Sequence, residues 1–475
     1  MKYIQGTPRE QAILFPETIN EYVDDDNPVR FIDAFVEQLD LQAAGFQRAQ
    51  PSVTGRPPYA PGDLLKLYIY GYLNRIRSSR KLEQEAARNV EVMWLLGKLK
   101  PDFKTIADFR KDNRSAFKQV FREFILLCRK LELFGGELIA VDGSKFKAVN
   151  NSKRNFTKAR LEKTLKRIDE KIEGYLSELD ERDSEDIATK RYSAAELESK
   201  IEHLKDRQDR YGQLLQEIED SGETQISLTD SDSRSMAKSP KAPVAYNVQV
   251  AVDEKHKLIV TQDVTNAVTD RDQLSNIAIQ AKEALGVENL KVVADMGYSH
   301  GKEIKACEEA GLEPYVPTPV TSANRKLGLY GKEQFVYDAE KDVYRCPAGQ
   351  ELIYRFDTHE SGRHIRYYKT PTCRTCVIKA KCTRNKEGRR ITRWVDEHII
   401  ERMQARIDAN PELMKKRKQI VEHPFGTIKH WNDQGHFLMR GLENVRAEFS
   451  LSALIYNLKR VINILGVPKM LEALA

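Results

Sequence analysis

Tyr246-Asn247-Val248-Gln249-Val250-Ala251-Val252-Asp253 and Leu258-Ile259-Val260-Thr261-Gln262-Asp263-Val264 are runs in which apolar residues recur at alternate positions. A period of two marks a β-strand, whose side chains point to opposite faces in turn. The polar stretch Glu254-Lys255-His256-Lys257 between them reads as a turn, so the pair is a strand hairpin. Toward the C-terminus the pattern predicts a helix over 272–285, a strand over 291–295, a helix over 300–310 and a short strand over 313–317. A strand hairpin followed by alternating helix and strand gives a mixed α/β sheet covered by helices.

The rest of the chain is read around that sheet. Residues 1–135 are expected to be mostly helical. Asp63 to Leu73 follows a Pro-Gly start, and Thr105-Ile106-Ala107-Asp108-Phe109-Arg110 opens a helix with Thr105 as its N-cap. Arg75, Arg77, Arg80 and Lys81 fall between these helices, so 1–135 reads as a DNA-binding bundle of the helix-turn-helix sort, or else a domain that packs on the core or dimerises. Residues 136–156 hold a first core strand. Residues 157–222 turn sharply to Lys, Glu, Asp and Leu, with apolar residues at Leu161, Leu165, Ile168, Ile172, Leu176 and Leu179, then Leu197, Ile201, Leu204, Tyr211 and Leu215. That spacing, broken by an acidic stretch, predicts an inserted antiparallel helical hairpin with a coiled-coil seam. The core resumes over 223–320, is interrupted by a cysteine-containing insertion over 321–396, and ends in helix over 397–475.

The bulk composition sets limits. With 475 residues, 40% hydrophobic, the chain exceeds one small core. A net charge of +6 argues only weakly for a nucleic-acid partner. The start, Met1-Lys2-Tyr3-Ile4-Gln5-Gly6, lacks the apolar core of a signal peptide, and no apolar run reaches the ~18–20 residues of a membrane helix. The expectation is a cytoplasmic protein on or near the nucleoid. Six cysteines in so long a cytosolic chain do not suggest a disulfide framework.

Three segments each place one acid where phosphodiester chemistry needs it. Asp142, in Ala140-Val141-Asp142-Gly143-Ser144-Lys145, is expected to leave an apolar strand where Gly-Ser lets the backbone turn. Asp295, in Val292-Val293-Ala294-Asp295-Met296-Gly297-Tyr298, sits at a second strand exit. Glu422 lies in a helical pattern with Val421 and Phe425 at apolar spacing. Asp253, Asp263, Asp270 and Asp272 compete with the first two as strand or capping residues. Three acids gathered from distant segments can hold two divalent ions roughly 3.5–4 Å apart, clamping the attacking and leaving oxygens of an in-line displacement. Carboxylates at strand ends of such a sheet fit an RNase H-like core. Lys145, Arg417, Lys418 and Lys429 are candidate phosphate contacts. His423 and His430 adjoin the site, with solvated or packing roles expected.

Cys346, then Cys373-Arg374-Thr375-Cys376, then Cys382 fit a tetrahedral structural zinc site, or else a set of reduced, partly buried thiols. Cys128 and Cys307 sit in apolar helical settings and read as core.

Together these residues resemble a bacterial insertion-sequence transposase of the DDE class, of the insertion sequence eleven-eighty-two family. The likeness runs over nearly the whole chain. It is carried by Gly55-Arg56-Pro57-Pro58-Tyr59, Tyr70-Gly71-Tyr72, Arg77-Ser78-Ser79-Arg80, Thr105 to Arg110, Asp142-Gly143-Ser144-Lys145 and Ser152-Lys153-Arg154-Asn155-Phe156-Thr157. Asp232-Ser233-Arg234-Ser235-Met236, Tyr246-Asn247-Val248-Gln249, Ala294 to Tyr298 and Val421 to Gly426 complete it. The resemblance implies an RNase H-like catalytic core and Mg²⁺ (or Mn²⁺) dependence, with the metal-binding triad on Asp142, Asp295 and Glu422. It also implies action on terminal inverted repeats, with 3′-hydroxyl ends joined to target DNA. The wider superfamily often places Tyr and Arg before the Glu, and Lys after it. Glu422 and Lys429 fit, while Lys415 and Lys418 stand in the Tyr and Arg positions. Bringing two DNA ends together implies a homodimer at least. The alternatives are a metal-dependent DNA nuclease without joining, and a domesticated DNA-binding protein that no longer cuts.

Overall fold

The structure, a computed structural model, describes residues 18–50, 57–184, 193–236, 243–319, 323–360 and 362–474. Gly55 and Arg56 of the first motif, the core of the acidic break at 185–192 and the expected boundary at 321 lie outside the described residues.

Six helices open the chain: α1 (Pro28–Glu37), α2 (Pro61–Leu73), α3 (Ser79–Arg88), α4 (Val90–Leu95), α5 (Phe103–Asp112) and α6 (Arg114–Lys130). Their starts follow capping chemistry. Asn27 accepts from the Val29 amide, and Pro28 sits at the first helical position, where its missing N–H costs nothing. The cap of α5 is Asp102, which accepts from the Lys104 and Thr105 amides; Thr105 itself lies inside the helix, bonded to Asp102. The expected Thr105 cap is therefore displaced by three residues, because an aspartate one turn earlier already satisfies the first orphan amides.

The next elements are β1 (Leu138–Lys147), β2 (Asn155–Thr157), α7 (Lys158–Ser184), α8 (Ala194–Ser221), β3 (Gln225–Ser227) and β4 (Arg234–Ser235). Then come β5 (Val244–Asp253), β6 (Ile259–Thr265), α9 (Leu274–Leu285), β7 (Leu290–Val293), α10 (Gly301–Glu309) and β8 (Leu312–Tyr315). The main sheet runs β6-β5-β1-β7-β8, with β4 also on β5. β1 is antiparallel to β5, β5 to β6, and β1, β7 and β8 are parallel. Helices cover both faces. On one, Ala140, Phe146, Val248, Val250 and Val293 share a core with α1–α6 and three C-terminal helices described below. On the other, Ile139, Val141, Ala251 and Val292 pack on α9 and α10. The N-terminal helices thus add to the main core and do not stand as a separate bundle.

The insertion after β1 is an antiparallel helix pair, α7 with α8, closed at its base by the β2–β3 ladder. Leu161, Ile168 and Ile172 of α7 are buried, and so are Leu197, Ile201 and Leu204 of α8. Leu176, expected in the seam, is 44% exposed.

After β8 comes the short helix α11 (Ala323–Lys326). A second, antiparallel sheet follows: β9 (Val336–Asp338), β10 (Val343–Arg345), β11 (Glu351–Glu360), β12 (Arg363–Lys369) and β13 (Arg390–Trp394), with α12 (Lys379–Cys382) before β13. The chain ends in α13 (Glu397–Ala409), α14 (Pro411–Gly426), α15 (Leu442–Leu465) and α16 (Val467–Glu472). Val421, Phe425 and Ile428 put α14 and its exit on the first core, as do Phe449 and Tyr456 of α15. The N- and C-terminal parts are clamped together at Glu448 of α15, which is 1% exposed. It accepts from the Leu438 and Met439 amides and pairs with Arg77. No helix among the described residues is long and apolar enough to cross a membrane.

Candidate active site

Asp142 and Asp295 come together because their strands are adjacent. β1 and β7 are parallel, with Ala140 opposite Val293, so each acid stands two residues past the last pair of the ladder. Strand periodicity puts Asp142 on the face of Ala140 and Phe146, the face that α14 covers through Val421 and Phe425. β7 ends at Val293, and Asp295 caps the turn Met296–Tyr298 by accepting from the Gly297 amide at 2.7 Å.

The strand of Asp142 does not end there. It continues through Gly143 and Ser144 to Lys147, paired with β5 throughout, so the turn expected at Gly-Ser is absent. Gly143 serves a different purpose. A Cβ on it would lie 2.5 Å from Oδ1 of Asp270 and closer still to Nε2 of Gln249. The glycine leaves room for Asp270 to lie across β1.

Asp142 is half-buried. Its Oδ1 accepts from the Gly143 amide at 2.9 Å, and its Oδ2 lies 3.7 Å from Arg417 of α14. Burial outweighs the Arg417 cation and pushes the carboxyl up to about 6, with Asp295 and Asp270 adding repulsion. Beside it, Tyr298 is fully buried and its phenol is held well above 10, first by burial and then by the three aspartates.

Glu422 is exposed on α14 and has no hydrogen-bond or ion-pair partner among the described residues. It shares no cluster within 4.8 Å with Asp142 and Asp295; the one such group of metal-ligand side chains among the described residues is Asp272, His300 and Glu303. There His300 Nδ1 lies 2.6 Å from Asp272, and Glu303 binds the amide and hydroxyl of Ser275 at the start of α9. The other competing acids have structural work. Asp253 holds the Gly135 and Gly136 amides, and Asp263 pairs with Arg446.

The basic residues are mostly engaged. Lys145 pairs with Asp270 at 3.2 Å. Past α14 the helix widens into a π-turn over Thr427–Trp431, and from it Lys429 reaches back to Ser144 Oγ at 2.6 Å and the Lys145 carbonyl at 2.8 Å. Burial lowers the Lys429 ammonium below its usual value, and Lys145 adds to this. Lys418 is exposed without an ion-pair partner among the described residues. His423 packs on Tyr456, and His430 is exposed.

Asp270 is the residue that sequence reading left among the competitors. Its Oδ1 takes Nδ2 of Asn247 at 2.6 Å and Nε2 of Gln249 at 2.7 Å, besides Lys145. The available signal was Asn247 and Gln249, two polar residues at alternate positions of a strand buried along its whole length.

In the second sheet, Cys382 and Cys346 adjoin one apolar cluster with Tyr344, Leu352 and Tyr368. Burial raises the Cys382 thiol against the pull of the Arg389 cation, with Cys373, Cys346 and Cys376 adding to the rise. All six cysteines are free thiols. Cys128 and Cys307 are fully buried, as expected.

Two family models match the chain. Residues 17–112 match a transposase domain (DUF772), and residues 345–462 match a transposase DDE domain. Together they support a DDE transposase. The second match includes Glu422 but neither Asp142 nor Asp295. No curated protein matches. Among solved structures the chain is similar to the cryo-EM structure of the piggyBac transposase synaptic complex with hairpin DNA. The identity is 8% over 95% of this chain and 80% of that one, at a TM-score of 0.33, too loose a likeness to argue from.

Proposed function

We propose that the chain is a DNA transposase of the insertion sequence eleven-eighty-two type. In this reading it cleaves at terminal inverted repeats and joins the freed 3′-hydroxyl ends to target DNA. The observation that carries the reading is the pairing of Asp142 and Asp295 at level positions of two adjacent parallel strands, with α14 laid over them. The strand order β6-β5-β1-β7-β8, with β5 antiparallel to its neighbours and β1, β7 and β8 parallel, supports the reading of an RNase H-like core with two insertions. The two matched transposase domains support the same reading.

The donor set fits Mg²⁺ or Mn²⁺: hard carboxylate oxygens, one of them on a half-buried group whose carboxyl burial pushes up to about 6. Asp142 and Asp295 would be ligands, with Glu422 as the third, swung inward from α14. A bound pair of ions would supply the Lewis-acid charge for an in-line displacement. The protein's part is to hold its acids at the rim and keep Arg417 beside Asp142. Lys429 braces β1 behind them, and Lys418 is left facing solvent for a phosphate. The N-terminal helices bind DNA ends, and synapsis uses two copies. Cys346, Cys373, Cys376 and Cys382 would hold a structural zinc in the second sheet, their sulfurs drawn closer together than they stand here.

The test is a cleavage and strand-transfer assay on DNA carrying the inverted repeats that flank the gene, with Mg²⁺ or Mn²⁺. Metal-dependent nicking at the repeat ends with joined products, lost in Asp142→Ala, Asp295→Ala and Glu422→Ala, is the expected result. Binding without cutting by the wild type would make it a domesticated DNA-binding protein. Cutting without joining would make it a nuclease. Normal cutting by two of the three variants would refute the site.

A further inference from the structure

We infer that Asp270 is a positioning residue for the acidic pair. One chain of hydrogen bonds running from it fixes both the stretch of β1 that carries Asp142 and the turn that carries Asp295. The inference rests on reading those two acids as metal ligands.

Asp270 lies in the loop between β6 and α9, and its carboxylate crosses β1 at Gly143, the residue after Asp142. Oδ1 takes three donors at once. Asn247 and Gln249 come from β5, and Lys145 comes from β1 itself. Gln249 stands opposite Gly143 and Asn247 opposite Lys145 in the ladder, so the carboxylate bridges the two strands just past Asp142.

Gln249 passes the chain onward. Its Nε2 faces Asp270, which leaves Oε1 to accept from the Tyr298 hydroxyl. The Tyr298 amide donates to the Asp295 carbonyl, and the Asp295 side chain accepts from Gly297. Tyr298 therefore pins the turn whose first residue is Asp295. Asn247, Gln249 and Tyr298 are 0, 2 and 0% exposed. A polar chain so deep in an apolar sheet costs desolvation that an apolar trio of the same volume would avoid. What it gives in return is direction: amide and carboxylate geometry fixes side chains that apolar contact leaves free to slide. Partners of this kind around metal ligands typically tune affinity about 10–100-fold.

The test measures Mn²⁺ binding by the full chain without DNA, by calorimetry. It compares wild type, Asp270→Ala, Asp270→Asn, Tyr298→Phe and Asp142→Ala. Asp270→Ala should weaken Mn²⁺ binding about 10–100-fold. Asp270→Asn keeps the shape and one acceptor oxygen and should recover part of that loss. Tyr298→Phe removes a single hydroxyl and keeps the ring, so it reports even where Asp270→Ala is too unstable to purify; it should weaken binding several-fold. Wild-type Mn²⁺ affinity in both Asp270→Ala and Tyr298→Phe would overturn the inference, whatever happens to their melting temperatures. Complete loss of binding in Asp270→Ala, equal to that in Asp142→Ala, would overturn it in favour of a direct ligand. Unchanged binding in Asp142→Ala would refute the metal-site reading itself, a result separable from the other two.

Discussion

Asp142→Asn should make the chain more stable at pH 8 in the presence of EDTA. The Asp142 side chain is 22% exposed, and its ion-pair partner among the described residues, Arg417, stands at 3.7 Å. Burial wins, and the carboxyl is pushed from 3.8 up to about 6. A rise of about two units corresponds to roughly 3 kcal/mol at ~1.4 kcal/mol per unit. The sign follows from proton counting. Between 3.8 and about 6 the folded state holds a proton that the unfolded chain has lost, so wild-type stability falls as pH rises through that window. Above it the full penalty persists. Asparagine keeps the shape without the charge. Its advantage should be near zero below pH ~4, roughly half developed at pH 5, and about 1–3 kcal/mol at pH 8. Urea unfolding of both proteins at intervals from pH 4.5 to 8 measures this. Added Mn²⁺ should close the gap by stabilising only the wild type. A difference that stays flat with pH, or an asparagine variant less stable at pH 8, would refute the reasoning.

Three further outcomes follow from particular contacts. Gly143→Ala forces a methyl group to within 2.5 Å of Asp270 and against Gln249, so cleavage should fall at least tenfold with a stability cost of about 1–3 kcal/mol; full activity would mean the network has slack. Glu448→Ala leaves two buried amides without their acceptor and Arg77 without its carboxylate, and should lower unfolding free energy by about 3–5 kcal/mol in denaturant titration. Elemental analysis of the purified protein should find one zinc per chain, lost together with the rigidity of the second sheet in Cys376→Ser; only traces in the wild type would remove zinc from the proposal.

The parts of the fold legible in the sequence were those with local periodicity. The alternation in β5 and β6 predicted their hairpin, and the spacing of three and four in α7 and α8 predicted an antiparallel pair. The apolar runs before Asp142 and Asp295 placed both acids on strands or at their ends. What escaped was set by partners far along the chain. Nothing near Gly143 says that its missing side chain makes room for a carboxylate 127 residues on, so Gly-Ser read as a turn. Asp270 read as a helix cap because its three donors lie on two other strands. Lys145 and Lys429 read as open phosphate contacts, and only the folded chain shows them tied to Asp270 and to β1. The exposure of Glu422 likewise depends on how α14 is rotated over the sheet.

The small β2–β3 ladder at the base of the helix pair also bears on how the sheet assembles. β1 must find β5 across the whole insertion, and a loop of that length carries an entropic cost of closure. The helix pair has its own apolar seam, so it can zip locally, and its ladder then brings Asn155–Thr157 beside Gln225–Ser227. The open loop between β1 and β5 shrinks about fourfold, which saves ~1 kcal/mol of closure entropy before the first strand of the sheet is paired. The inserted arm, whatever else it touches, is then a folding clip: it delivers the Asp142 strand to its partner.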